Sequence, residues 1–96
     1  KVEIAMNIED AKQLAKQGDR EGAIAMLQQM LERNEGEREL VLLELGVVYN
    51  AMGKTTQAIN HLNEVMRINP ANTKAKAYLD MINEILDYYC KDLLNP

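Results

Sequence analysis

The chain is expected to be all-α, a short α-solenoid of five helices arranged as antiparallel hairpins. Three observations predict this. Apolar residues recur at intervals of three and four along most of the 96 residues, and β-branched alternation of the kind that marks strands is absent. Only two Pro and five Gly are present, set largely between the periodic runs. The chain also repeats itself after thirty-five residues: Gly18 answers Gly53, Ala23-Ile24 answers Ala58-Ile59, and Leu27 answers Leu62. Self-similarity at such a period means stacked units, each needing its neighbour to bury an apolar face.

The elements follow in order. Ile4, Ile8, Ala11 and Leu14-Ala15 lay one stripe on a first helix, which Gly18 ends by taking the left-handed conformation. Asp19 is placed to cap a second helix, whose stripe is Ala23-Ile24, Leu27 and Met30-Leu31. The run Arg33-Asn34-Glu35-Gly36-Glu37 breaks the pattern and reads as a loop. A third helix runs from about Glu39 to Met52, with Leu42, Leu45, Tyr49 and Met52 on one stripe, and Gly53 stops it. Thr55 or Thr56 is expected to cap the fourth, striped by Ala58-Ile59, Leu62 and Val65-Met66. Asn69-Pro70 ends that helix, and Asn72 or Thr73 starts a longer fifth one reaching about Leu94. Connections this short make successive helices antiparallel neighbours.

In residues 39–70, Leu42, Leu45-Gly46-x2-Tyr49, Ala58-x3-Leu62 and Pro70 fall in step. This spacing resembles the tetratricopeptide repeat, a helix–turn–helix unit with a W-x2-L-G-x2-Y…A-x3-F…P signature, Leu42 standing for the Trp. Gly46 and Ala58 are small where two helices would cross closely; Leu45, Tyr49 and Leu62 are large beside that contact. The earlier unit departs from the pattern, with Asn7, Asp10, Ala11 and Leu14 at the Trp, Leu, Gly and Tyr positions and Glu35 at the proline. Polar Asn7 and Asp10 suit a terminal unit facing water. The whole chain, 1–96, is thus expected to be a single domain. Repeat one spans about 4–35 and repeat two about 39–72. A C-terminal capping helix of about 73–94 opens like a third repeat with Tyr78-Leu79-Asp80.

The resemblance implies a non-enzymatic interaction module or scaffold whose concave groove holds a peptide or helix of a protein partner. Matched by position, that groove takes Ala5, Ile8, Lys12, Ala15 and Lys16 from repeat one. It takes Leu40, Leu43, Val47, Asn50 and Ala51 from repeat two, and Lys74, Ala77, Met81, Glu84 and Ile85 from the last helix. An apolar segment docked on Leu43, Val47, Met81 and Ile85, with an acidic group near Lys12 and Lys16, is the functional expectation. The competing reading is that neighbouring helices cover these aliphatics and leave a shallow groove with solvated lysines. Some family members clamp the C-terminal carboxylate of a chaperone tail with Lys and Asn side chains. Here Ile8 and Val47 stand where a Lys and an Asn would be needed, Lys12 replaces a further Asn, Tyr78 replaces a cation, and only Lys74 is retained. That mode is therefore not expected.

The last helix carries two stripes. Ala75, Leu79, Ile82, Leu86, Tyr89 and Leu93 form one; Tyr78, Met81, Ile85 and Tyr88 form a second, turned from it by roughly a quarter circle. A terminal helix usually shows water a polar face. The second stripe is accordingly expected either to complete the concave wall or to support self-association as a homodimer.

Composition bounds the remaining classes. A net charge of −4 opposes binding to phosphate backbones, so no nucleic-acid partner is expected. No segment is long and apolar enough to insert in a bilayer. The favoured reading is a soluble, cytoplasmic chain, although the start at Lys1 without an initiator Met fits a fragment or processed product. His61 stands alone at an outward position, and Cys90 has no activating neighbour in sequence, so no metal, cofactor or nucleophile is assigned. Glu35, Glu37, Arg38 and Glu39 read as a solvated run, and no acid–base or phosphate-loop constellation supports an enzyme.

Overall fold

The computed structural model describes residues 7–94, with side chains described as far as residue 88. Five helices follow one another: α1 (Ile8–Lys16), α2 (Arg20–Glu32), α3 (Arg38–Ala51), α4 (Thr55–Ile68) and α5 (Thr73–Leu94). No strand occurs among the described residues. Each helix packs on the next, and α1 also reaches α3. The chain is an all-α stack, as its spacing predicts.

Three of the four turns share one device. Gly18, Asn34 and Gly53 take positive φ values of 93°, 53° and 75°. The amide after each of them donates back to a carbonyl five residues earlier: Asp19 to Leu14, Glu35 to Met30, Lys54 to Tyr49, each at 2.9 Å. This is the Schellman closure, which satisfies carbonyls left over at a helix end. Helix starts are capped less uniformly. Asn7, Asp19 and Asn72 accept from the amides of Asp10, Gly22 and Ala75. Asn7, expected only to face water, thus sets the start of α1. The expected threonine cap of α4 is absent: Lys54 stands at the cap position without a side-chain bond, and Thr55 opens the helix itself.

The core is aliphatic. Leu27, Met30, Val41, Leu45, Leu62 and Val65 are its largest fully buried side chains. α3 was expected to bury one stripe, yet it is covered on almost every side, from Val41 through Gly46 and at Val48 and Tyr49. The reason is its central place, with α1, α2 and α4 all packed against it. The Tyr49 hydroxyl accepts from Gln28 Nε2 at 3.1 Å, joining α2 to α3. His61, expected to face outward, is half-buried; its ring lies 5.2 Å from that of Tyr49, and Nδ1–H donates to the Gln57 carbonyl at 2.7 Å.

A second tie crosses from α3 to the α4–α5 turn. The Glu39 carboxylate accepts from Asn69 Nδ2 at 2.9 Å and from Asn72 Nδ2 at 2.7 Å. Asn69 first, and then Asn72, holds the Glu39 carboxyl below its ordinary value. On α5, Ala75 and Ile82 are buried and Tyr78 and Leu79 pack on the core, whereas Met81, Ile85, Leu86 and Tyr88 are exposed. At about 1.5 Å per residue the 22 residues of α5 outrun the 14 of α4 by roughly 12 Å, so α4 cannot cover its far end. Tyr89, Cys90 and Leu93 lie outside the described side chains.

Candidate functional site

Two helical stripes, one on α1 and one on α3, line a single cleft. On α1, Glu9, Lys12, Ala15 and Lys16 recur at three- and four-residue spacing; on α3, Glu44, Val47, Val48 and Ala51 do the same. Arg20, the first residue of α2, and Lys74, in the first turn of α5, close the ends. Together they line a cleft of about 460 Å³, within the usual size of a ligand site.

The chemistry of this cleft is mixed. Its apolar lining is Ala15, Val47 and Ala51 with the buried Val48 behind them, and four cations share the lining: Lys12, Lys16, Arg20 and Lys74. Glu9 pairs with Lys12, Oε1 to Nζ at 3.7 Å. Lys16, Arg20 and Lys74 have no ion pair among the described residues. Glu44 is the second acid, and it is buried, at 8% exposure. Two carboxylates against four cations make this pocket positive on a chain of net charge −4.

The expected groove residues divide among several places. Lys12, Lys16 and Val47 come together in the cleft, with Ala15, Ala51 and Lys74 beside them. Ile8 and Leu40 instead share a smaller apolar hollow with Asn7, Met30, Gly36, Glu37 and Val41. Leu43 is a correction: expected on the docking strip, it is 7% exposed and belongs to the core cluster, because α3 is covered on that side. Asn50 is half-buried outside the cleft lining, and Met81 and Ile85 lie open on α5 at 41% and 50% exposure. Tyr78 packs on the core rather than lying with the exposed Tyr88. Ala5 lies outside the described residues.

Glu9, Arg20, Glu44 and Val48 are missing from the sequence expectation. The signal for Glu44 is present: it is the only charge in Leu40-Val41-Leu42-Leu43-Glu44-Leu45-Gly46-Val47-Val48. Arg20 carries no comparable signal, since only the folded turn brings the start of α2 to the end of α1. Among the described residues no cluster of His, Cys, Asp or Glu is placed to hold a metal, and no helix is long and apolar enough to cross a membrane.

Neither a curated protein nor a solved structure matches the chain significantly. A family model described as tetratricopeptide repeat matches residues 14–82.

Proposed function

Because the chain belongs to the tetratricopeptide repeat family, whose repeats generally mediate protein–protein interactions, we propose that it is a non-enzymatic binding module that holds an acidic segment of a partner protein in the α1–α3–α5 cleft. One observation carries this reading: Lys12, Lys16, Arg20 and Lys74 converge on one concave site of an otherwise acidic chain. Convergent charge in a recess focuses the local field and raises the encounter rate with an oppositely charged partner. Val47 and Ala51 provide apolar wall for the stem of a bound side chain. The test compares partner capture by the wild-type chain with capture by Val47→Glu and Lys16→Glu, each checked for native helicity. Partners lost with both variants and kept by Ile85→Glu support the cleft. Partners retained by both cleft variants sink it.

The exposed apolar side chains of α5 favour a second reading, self-association through Met81, Ile85 and Tyr88. Here Ile85→Glu converts a concentration-dependent dimer to monomer in sedimentation equilibrium. A wild-type chain that stays monomeric at several hundred micromolar rules it out.

A further inference from the structure

We propose that Glu44 reads a cation on the bound segment, so that the partner carries a Lys or Arg side chain set among acidic residues. The inference deepens the proposed function and rests on it. Glu44 lies on the α3 stripe that forms one wall of the cleft, with Val47, Val48 and Ala51 three, four and seven residues further on. Among the described residues it is the one charged residue that is buried as a whole, at 8% exposure, and it has no hydrogen-bond or ion-pair partner there. Its carboxylate borders the cavity and is held by no protein donor, so it is open to a donor on whatever enters. A cation arriving with the ligand meets this carboxylate inside a recess, where an ion pair is less screened than on an open surface.

The four cations in the lining do not fill this role. Lys12 pairs with Glu9, and none of Lys12, Lys16, Arg20 or Lys74 approaches Glu44 within 4.0 Å. They are disposed toward carboxylates from outside. A wholly acidic segment would therefore satisfy Lys16, Arg20 and Lys74 and be repelled at Glu44. A segment with one ammonium or guanidinium flanked by Asp or Glu meets both signs at once. Glu44 thus adds a selection against uniformly acidic competitors.

The probe is a phage-displayed library of random dodecapeptides, selected on the full chain and in parallel on Glu44→Gln. On wild type the expected enrichment is for Asp/Glu-rich peptides containing a Lys or Arg at a fixed offset. On Glu44→Gln the acidic preference persists and the basic residue drops out. Synthetic peptides from the enriched set, with the basic residue exchanged for norleucine, then bind wild type on the order of tenfold or more weakly and bind Glu44→Gln no differently. Enrichment of acidic peptides lacking Lys or Arg overturns the role of Glu44 and leaves the acidic-segment cleft standing. So does a basic-residue preference that survives in Glu44→Gln. Absence of any acidic enrichment overturns the cleft reading as well. Thermal unfolding supplies an independent check: an unpartnered Glu44 predicts a Glu44→Gln midpoint equal to or above wild type. A clear fall would mean that a protein cation already holds it.

Discussion

A methyl group built on Gly46 would stand 2.7 Å from Cγ of Leu62. Real Cβ atoms do not sit this close to a neighbour, so the α3–α4 crossing is set by the absence of a side chain at one position and a fully buried leucine at the other. Gly46→Ala should therefore destabilise the fold by about 1–3 kcal/mol, the range for overpacking. Leu62→Ala alone should cost about 2–5 kcal/mol through the cavity it leaves. In the Leu62→Ala background the added Gly46→Ala methyl enters that cavity, so the double change should cost clearly less than the sum. Urea unfolding of the four proteins measures the coupling; strict additivity would contradict the contact.

Gly53 differs from Gly46 in kind. Nothing lies within 4 Å of a Cβ added there, but φ is +75°. Gly53→Ala is thus strained by backbone alone and should cost about 1–2 kcal/mol. Asn34 holds the equivalent place after α2 with φ 53°. Gly53→Asn should consequently lose distinctly less than Gly53→Ala in thermal unfolding, and equal losses would indicate that side-chain crowding matters at that turn.

Local and periodic signals are legible in the sequence: the glycine stops, the Asp19 cap, and the stripes of α2 and α4. They are legible because each is decided by residues within a turn or two of one another. What the sequence hid depends on elements meeting from far apart. Glu39 reads as one charge in a solvated run, yet it ties Asn69 and Asn72 across about thirty residues. His61 reads as outward because helix periodicity knows nothing of the Tyr49 ring lying beside it. Leu43 falls in the groove by repeat position alone, and its burial follows from α3 being surrounded. The cleft is half legible: repeat position points to Lys12, Lys16 and Val47, while Arg20 joins them through the α1–α2 turn and the buried Glu44 through the packing of α1 on α3.

The Glu39 tie gives a pH dependence with a defined sign. Bonds from Asn69, and secondarily Asn72, lower the native carboxyl below the ordinary value of 4.5. A carboxyl with a depressed native value contributes its stability fully above the unfolded value and loses it as pH falls through the native one. The difference in melting temperature between wild type and Glu39→Gln should therefore be constant between about pH 5 and 7 and close progressively below about pH 4.5. A difference that persists unchanged into strong acid would show that the charge on Glu39 is irrelevant to the tie.

Lys12 and Lys16 stand one helical turn apart on α1 but should not be equivalent for binding. Lys12 already has Glu9 at 3.7 Å, whereas Lys16 has no ion pair among the described residues. Removing Lys12 also leaves Glu9 uncompensated at the cleft, so Lys12→Ala should be recovered by adding Glu9→Ala, and Lys16→Ala should not be. Lys16→Glu reverses a rim charge, which acts chiefly on association. For an acidic peptide selected on the wild-type chain, its association rate should fall on the order of tenfold at low salt. At 1 M salt, where the screening length is about 3 Å, the two proteins should converge. Stopped-flow anisotropy across a salt series measures this, and a salt-independent gap would place the effect in packing instead of charge.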